Sequence, residues 1–323
     1  MPQGRRPVVV YIAGSGRSGS TLLERLLGLQ KGYVNVGEVI ELFRKVTVGG
    51  ERCGCRKPFA GCEFWQEVGQ RAFGGWSPDT MSEVAALQRR VGRQRHFPRL
   101  LVPSSISPAG QADLLRLGEV YARLYSAICD VSGQDVVVDA SKWPAHGLAL
   151  SRSGAVDVRV VHLVRDVRGV AYSWSKSDVV RPHSESRTPA FMATHRVGQT
   201  AIRWAAFQME CEALTRSVPW STRVRYEDLV QSPGKAVAAC ARNLGLDDAP
   251  GQVEGLDMDS VTLPPSHGLA GNPSRFSTGR VELRLDEAWR DSMSARSRLA
   301  VTALTLPILC GYGYLHRGQG ELL

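Results

Sequence analysis

The sequence predicts an α/β protein with three layers, in which a central parallel sheet is covered by helices on both faces. Apolar runs of strand length that are rich in valine recur along the chain, and helical patterns follow them. Repeated strand–helix units pair as parallel strands, with the helices packed against the sheet. A glycine-rich loop directly after the first apolar run predicts that the fold contains a phosphate-binding P-loop.

Composition is typical of one globular domain over residues 1–323, with 22% charged and 43% hydrophobic residues. The net charge of +9 is scattered along the chain, which favours an anionic ligand and excludes a nucleic-acid stripe. No apolar run reaches the length of a membrane span, and no signal-peptide pattern is present. Seven cysteines at ordinary frequency predict reduced thiols in a cytoplasmic protein with no membrane partner, while the oligomeric state stays open.

The first element is an apolar strand over residues 8–12, followed by the glycine-rich loop 14–19. Ser20 and Thr21 then open an amphipathic helix. This arrangement directs backbone N–H groups and a helix N-terminus at an anion. The loop departs from the P-loop pattern because Ser20 stands at the lysine position. Its cation is instead Arg17, whose planar fork suits an oxyanion close to the loop.

The later elements continue this alternation, with one interruption. Further extended or strand segments are predicted at 33–38, 135–139, 158–164 and 221–224. Helices are predicted at 39–46, 82–97, 113–131 and 189–216, with two more after residues 144 and 166. The helices at 82–97 and 113–131 interrupt the strand–helix alternation, so we expect a helical cap inserted within residues 75–132. A long loop is expected at 256–284.

Four polar residues follow the carboxyl ends of predicted strands, namely Arg17, Lys142, Arg165 and Tyr226. Ligands of open parallel sheets bind beyond those ends. We therefore expect the four side chains to lie in one crevice.

The segment Arg-Ser-Gly-Ser-Thr at 17–21 resembles the 5′-phosphosulfate loop of the PAPS-dependent sulfotransferases, where PAPS is 3′-phosphoadenosine 5′-phosphosulfate. Arg-Ser-Gly is the version found in the protein-tyrosine and carbohydrate branches of that family. Glycine-rich turns are also common in other α/β proteins. The resemblance implies that PAPS is bound by Gly16, Arg17, Ser18, Gly19, Ser20 and Thr21.

The same resemblance extends to the second half of the chain. Arg165 and Ser173 have the spacing of the pair that holds the 3′-phosphate, which suits a charge-assisted clamp with a neutral donor beside it. Without the resemblance, Arg165 and Asp166 would indicate only a surface ion pair. The Tyr-Glu-Asp segment implies that Tyr226 lies against the adenine. A C-terminal loop that closes over the nucleotide is implied to contribute Ser274, Arg275 and Arg280.

The catalytic base is implied by position. Glu38 lies 21 residues after Arg17, where the protein-tyrosine branch carries its catalytic Glu, and such a carboxylate acts as general base if it reaches the acceptor hydroxyl. The alternative is a helix-start Glu stabilised by the helix dipole. The small-molecule branch uses a His, so His146 is the reserve base. Lys142 and Arg17 are candidates for stabilising charge on the 5′-phosphate.

Three cysteines, Cys53, Cys55 and Cys62, raise the question of a metal. Zinc sites usually need four ligands, and no fourth one is evident in this stretch, so the sequence predicts no metal site. Similar cysteine loops occur in bacterial sulfotransferase relatives, and their role stays open. No cluster of acidic residues predicts Mg²⁺, and the family generally works without a catalytic metal.

The resemblance implies a bacterial enzyme that moves a sulfuryl group from PAPS to a hydroxyl of a small-molecule, carbohydrate or natural-product acceptor and releases adenosine 3′,5′-bisphosphate. A P-loop small-molecule kinase that uses ATP and a catalytically silent nucleotide-binding protein are the alternatives. The acceptor itself is not predicted. Candidates for lining its pocket are Phe64, Trp65, Trp76, Trp143 and Trp174.

Overall fold

The computed structural model describes residues 6–43, 51–177, 180–181, 190–191, 193–246, 255–257 and 259–315. Its strands are β1 Val8–Ala13, β2 Tyr33–Asn35, β3 Val136–Lys142, β4 Asp157–Val164, β5 Val180–Arg181, β6 Ala190–Phe191, β7 Ser221–Arg225, β8 Ser260–Leu263 and β9 Gly279–Glu282. Five of them form a parallel sheet in the order β2-β3-β1-β4-β7. The others form two antiparallel ribbons, β5 with β6 and β8 with β9.

The helices of the described residues are α1 Ser20–Leu27, α2 Glu63–Phe73, α3 Pro78–Val91, α4 Phe97–Leu101, α5 Pro108–Ser132, α6 Pro144–Ser153, α7 Val167–Ser175, α8 Val197–Thr215, α9 Tyr226–Gln231, α10 Pro233–Asn243, α11 Trp289–Ser292 and α12 Ala295–Gly311. Short 3₁₀ turns cover Val39–Glu41, Phe59–Gly61, Gln94–His96, Pro103–Ser105 and Pro273–Phe276. None of these helices is both long enough and apolar enough to cross a bilayer.

Strand β1 is buried along its whole length because the sheet is covered on both faces. Val8, Val10 and Ile12 belong to one apolar core, together with residues of α1 and α10. Val9 and Tyr11 belong to a second core on the opposite face, together with residues of α5 and α6. A further core joins α7, α8 and α12. The predicted three-layer α/β fold with a central parallel sheet is confirmed.

The segment between β2 and β3 contains the four helices α2 to α5, and α5 packs against α2, α3 and α6. Two of the helices begin earlier than the periodicity predicts, because a serine followed by a proline starts each of them. Ser77 accepts a hydrogen bond from the backbone N–H of Thr80 at 3.1 Å, and Ser107 accepts one from that of Gly110 at 3.2 Å. Between these two helices lies the short helix α4.

Three element predictions change in the structure. A 3₁₀ turn over Val39–Glu41 replaces the start of the helix predicted at 39–46, and residues 44–46 lie outside the described residues. Helix α8 begins at Val197, not at 189, and residues 182–189 and 192 are also outside the described residues. The predicted loop 256–284 contains the β8–β9 ribbon, whose four-residue strands are too short to give a clear alternating pattern.

Candidate active site

A cavity of about 500 Å³ lies at the carboxyl ends of β1, β3 and β4. The four polar residues that the sequence placed after strands, Arg17, Lys142, Arg165 and Tyr226, all line this cavity. They converge because parallel strands end at the same edge of the sheet. Other predicted residues that line it are Gly16, Gly19, Ser20, Thr21, Glu38, Ser173 and Ser274. We call this space the polar cavity.

The glycine-rich loop is bounded by two aromatic rings. A Cβ atom on Gly16 would lie 2.9 Å from the ring of Trp174, and one on Gly19 would lie 2.6 Å from the ring of Tyr226. Gly19 also has a φ of +90°, which an L side chain rarely adopts. A side chain at either position would therefore displace one of these rings, and the two glycines keep the loop backbone accessible beside the N-terminus of α1. Ser18 is fully buried, and its hydroxyl has no hydrogen-bond partner among the described residues.

Arg17 and Arg165 bring two guanidinium groups to the cavity. Arg165 donates from Nη1 to the carbonyl of Arg17 at 2.9 Å, so it also supports the loop. The guanidinium of Arg17 lies 5.1 Å from the ring centroid of Trp174. Burial lowers the pKa of Arg17 from its ordinary value. An Arg remains charged under these conditions, so the pair favours an anion in the cavity.

Asp286 is a cavity residue that the sequence did not predict. Arg165 donates from Nη2 to the carbonyl and to Oδ2 of Asp286, at 2.8 and 3.0 Å. The guanidinium of Arg165 also lies 4.4 Å from the ring centroid of Tyr226. Burial raises the pKa of Asp286, but the hydrogen bond and the charge of Arg165 outweigh burial, and the net pKa is lowered. Asp286 therefore occupies one side of the Arg165 fork as a carboxylate.

Glu38 and Lys142 form an ion pair in which Lys142 donates to Oε1 of Glu38. Their side chains retain 14% and 15% of their exposure, so the pair is largely shielded from bulk water but open to the cavity. Lys142 ends β3 in the left-handed region, with a φ of +69°. Such a conformation is uncommon for a residue other than glycine and often marks a functional position.

The backbone on both sides of Glu38 is held by buried hydrogen bonds. The N–H of Glu38 donates to the carbonyl of Leu269 at 2.8 Å, and the N–H of Gly37 donates to Oε1 of Glu24 at 2.8 Å. On the other side, the N–H of Ile40 donates to the hydroxyl of Ser141 at 2.9 Å. The position of Glu38 therefore depends on α1, on β3 and on the loop after β8.

Two carboxyl groups beneath the site are buried and have shifted pKa values. Burial raises the pKa of Glu24 to about 7, although hydrogen bonds from Asn35 and Gly37 oppose the shift. Burial also raises the pKa of Asp139 to about 6, opposed by hydrogen bonds from Ser141 and Tyr125. Both groups support the backbone around Glu38 and do not line the polar cavity.

The C-terminal loop reaches the cavity with only part of its predicted residues. Ser274 lines it, together with Ala270, Gly271 and Asn272. Arg275 does not line it and is buried, donating to the carbonyls of Gly271 at 3.3 Å and Arg52 at 3.4 Å. Arg280 is not at the cavity either. Its side chain keeps 70% of its exposure and lies 4.0 Å from Asp257 and from Asp259.

His146, the reserve base, does not line the polar cavity. It lies inside the helical layer with no exposed surface, and its ring is 4.8 Å from that of Tyr121. Burial lowers the pKa of His146 to about 3, and neither ring nitrogen has a partner among the described residues. His146 is therefore out of reach of a ligand in the polar cavity, whereas Glu38 lines it.

A second and larger cavity, of about 1060 Å³, adjoins the first. Trp143 lines both cavities. The other apolar residues that line the larger cavity are Ile40, Phe43, Phe59, Ala60, Trp76, Pro78, Met81 and Ala85. We call this space the apolar cavity. Of the other predicted aromatic candidates, Trp174 lines the polar cavity, Trp65 is fully buried in the core, and Phe64 stacks on His267.

The fold is similar to that of a known sulfotransferase domain. The sulfotransferase domain from the olefin synthase of Synechococcus PCC 7002 has a TM-score of 0.51 and 19% identity, covering 95% of this chain and 96% of that one. The sulfotransferase domain from the curacin biosynthetic pathway has a TM-score of 0.44 and 16% identity over 94% and 99% of the two chains. Sulfotransferase STF1 from Mycobacterium tuberculosis H37Rv has a TM-score of 0.37 and 18% identity over 76% and 69%.

No curated protein matches the sequence. The family model described as "Sulfotransferase family", in contrast, matches residues 7–250. This match includes the glycine-rich loop, Glu38, Lys142, Arg165 and Tyr226. Because it spans most of the chain, the protein belongs to the sulfotransferase family.

Proposed function

We propose that the protein transfers the sulfuryl group of PAPS to a hydroxyl group of a largely apolar small molecule. Family membership supports sulfuryl transfer in general. The observation that carries the rest is the contact between the two cavities. Glu38 and Lys142 line the polar cavity, while Ile40 and Trp143, their near neighbours in sequence, line the apolar one. A hydroxyl that enters from the apolar side would meet a carboxylate next to a site for anions.

The residues of the polar cavity fit the donor nucleotide. When bound, PAPS supplies an activated sulfuryl group and leaves as adenosine 3′,5′-bisphosphate. The glycine-rich loop and Arg17 suit the 5′ end, because they line the cavity beside a helix N-terminus. Arg165 and Ser173 suit the 3′-phosphate, and the Tyr226 ring suits the adenine. Ser274, in the C-terminal loop, also lines the polar cavity. Arg275 stabilises that loop by donating hydrogen bonds to backbone carbonyls.

Glu38 is the general base in this proposal. It takes the proton from the acceptor hydroxyl, whose oxygen forms the new bond to sulfur as the bond from sulfur to the 5′-phosphate oxygen breaks. Lys142 and Arg17 stabilise the negative charge that the departing phosphate gains. Lys142 already donates to Glu38, so it both orients the base and lies within the cavity where that charge develops.

The apolar cavity favours an acceptor with an alkyl or aromatic scaffold over a free carbohydrate. Its volume of about 1060 Å³ is at the upper end of ordinary ligand pockets, and Pro78, Met81 and Ala85 of helix α3 are among its apolar lining residues. The cavity is also lined by Arg89, Arg93 and Arg95, whose positive charges would stabilise an acidic group on the acceptor. The cap thus selects the acceptor, and the sheet edge binds the donor.

The test is a binding titration followed by a transfer assay. We expect the protein to bind adenosine 3′,5′-bisphosphate in preference to ATP, with or without Mg²⁺, and Arg165→Ala to lose this binding. Labelled PAPS should then sulfate apolar phenols and alcohols more readily than monosaccharides. Preference for ATP with Mg²⁺ would favour a kinase, and bisphosphate binding without transfer to any acceptor class would favour a silent nucleotide-binding protein.

A further inference from the structure

Three cysteines and one histidine, none of which lines the polar cavity, bring their side-chain donor atoms together. Sγ of Cys62 lies 3.6 Å from that of Cys53, 3.7 Å from that of Cys55 and 3.3 Å from Nδ1 of His267. Sγ of Cys53 is 3.6 Å from the same nitrogen. All four donor atoms lie within 4.8 Å of one another. The cysteines belong to the loop before α2, and His267 follows β8, about two hundred residues later.

Four of the six separations are close to those of a tetrahedral zinc site, and the other two, which both involve Cys55, are at most 4.8 Å. With Zn–S bonds of about 2.3 Å and Zn–N bonds of about 2.0–2.1 Å, tetrahedral geometry places two sulfurs about 3.8 Å apart and a sulfur and a nitrogen about 3.6 Å apart. The close contacts between Cys53, Cys62 and His267 fall within a few tenths of an ångström of these values. We propose that Cys53, Cys55, Cys62 and His267 bind one Zn²⁺ ion as a structural site.

The donor set supports zinc on chemical grounds. Thiolate and imidazole are the ligands that zinc prefers, and Mg²⁺ and Ca²⁺ prefer oxygen. Four protein ligands leave no open position, which is typical of a structural site, and this role does not conflict with metal-free sulfuryl transfer. The prediction of no metal site from the sequence rested on the missing fourth ligand, and His267 supplies it from a distant loop.

The surrounding contacts hold the ligands in place. The ring of His267 stacks on Phe64, with centroids 4.4 Å apart and planes 10° apart, and its carbonyl accepts a hydrogen bond from Nε1 of Trp65 at 2.8 Å. On the cysteine loop, the N–H of Arg56 donates to the carbonyl of Cys53 at 2.8 Å, in a turn where Arg56 has a φ of +68°. Such neighbouring contacts orient metal ligands and are expected around a metal site.

The proposed zinc ion joins two loops next to the site of chemistry. The N–H of Gly54 donates to the carbonyl of Gly268 at 2.9 Å, directly after His267. One residue further, Leu269 accepts from the N–H of Glu38 at 2.8 Å and donates to the carbonyl of Val36 at 2.9 Å. The zinc ion therefore stabilises the loop that holds the backbone of Glu38 and leads into the wall of the polar cavity.

The first experiment measures the metal content of the full chain, purified under reducing conditions from zinc-supplemented cells, by plasma mass spectrometry. We expect one zinc ion per chain in the wild-type protein and loss of that zinc in Cys55→Ser and His267→Ala. Cys310→Ser, at an exposed thiol outside the cluster, and Cys129→Ala, at a buried one, should keep it. Absence of zinc in the wild-type protein, or equal zinc in all variants, would overturn the proposal.

A second measurement decides the case where those variants fold poorly. A chelator should lower the unfolding temperature of the wild-type protein, and Zn²⁺ but not Mg²⁺ should restore it. Co²⁺ added to the stripped protein should give the visible absorption of a tetrahedral thiolate complex. Amide exchange at Gly54 and Leu269 should become faster on stripping, while exchange at Val138 in β3 should not. A chain mass lower by two hydrogens, with no metal, would instead indicate a disulfide.

These readouts do not depend on the sulfotransferase reaction. Failure to bind adenosine 3′,5′-bisphosphate would count against the proposed donor and leave the zinc site standing. Failure to hold zinc would leave the donor proposal standing. The two proposals are therefore tested separately.

Discussion

Lys142 donates a hydrogen bond to Glu38 across a separation of 104 residues in the chain. Both side chains keep only about 15% of their exposure, and both backbones are fixed. The contact is therefore unlike an ion pair between mobile side chains on the surface. Glu38 is held through its N–H by Leu269, and Lys142 ends β3 in the left-handed region. The pair is thus preorganised at the edge of the polar cavity before any substrate binds.

Replacing Glu38 by Gln should lower turnover by about 10²- to 10⁴-fold, because a general base contributes on that order and Gln cannot accept the proton. Affinity for adenosine 3′,5′-bisphosphate and the unfolding temperature should stay close to those of the wild-type protein. Steady-state rates with labelled PAPS measure the loss. Glu41→Gln, at a second carboxylate lining the same cavity, is the comparison. A larger loss from Glu41→Gln than from Glu38→Gln would exclude Glu38 as the base.

Arg165 and Asp286 should have opposite effects on the same ligand. Arg165→Lys removes the planar fork and should weaken bisphosphate binding by about 10- to 100-fold, as expected for charge-assisted hydrogen bonds worth about 1.5–3 kcal/mol. Asp286→Asn removes the carboxylate that pairs with Arg165 and should tighten binding. Calorimetric titrations at two salt concentrations measure both effects. Weaker binding by Asp286→Asn would mean that the carboxylate supports Arg165 and does not compete with the phosphate.

The convergence of the four strand-end residues could be predicted from sequence, because it follows from parallel topology alone. Each of Arg17, Lys142, Arg165 and Tyr226 follows a predicted strand or the loop after it, and the carboxyl ends of parallel strands share one edge. Closeness in sequence did not predict the direction in which a side chain points. His146 is close to Lys142 in sequence, yet it points into the helical layer, since position on a helix does not fix which neighbour a side chain contacts.

Contacts between distant loops could not be predicted. Asp286 and His267 lie in segments without periodicity, and nothing in the sequence pairs Asp286 with Arg165 or His267 with the cysteines. Arg280 illustrates the reverse error, because resemblance placed it at the nucleotide while the β8–β9 ribbon carries it to the surface. Local sequence patterns predict helices and strands. Contacts between residues of distant loops form only when the whole fold is assembled, so these patterns do not predict them.

Gly19→Ala should destabilise the protein and abolish bisphosphate binding. Its φ of +90° costs an L residue about 1–2 kcal/mol, and the new Cβ would also displace the ring of Tyr226 from 2.6 Å. Gly32→Ala is a matched control, because Gly32 has a φ of +87° but a Cβ added there would meet nothing within 4 Å. Urea unfolding and bisphosphate titration compare the two. Equal binding by both variants would show that the Gly19–Tyr226 contact is not needed for the nucleotide.

Glu24→Gln should flatten the pH dependence of stability between about pH 4.5 and pH 7. Burial raises the pKa of Glu24 from 4.5 to about 7 in the folded state, so the folded chain binds more protons than the unfolded chain within this window. The free energy of unfolding therefore falls as pH rises, by on the order of 3 kcal/mol in total for this group, and levels off above pH 7.

Urea unfolding of the wild-type protein and of Glu24→Gln, at intervals from pH 5 to pH 8, measures this effect. Gln keeps an oxygen that can accept from the N–H of Gly37, so the variant should fold and retain the support beneath Glu38. A residual slope is expected, because burial also raises the pKa of Asp139 to about 6 and that group titrates in an overlapping range. An unchanged slope in Glu24→Gln would mean that Glu24 stays ionised in the folded protein, held by Asn35, Gly37 and the charge of Arg25.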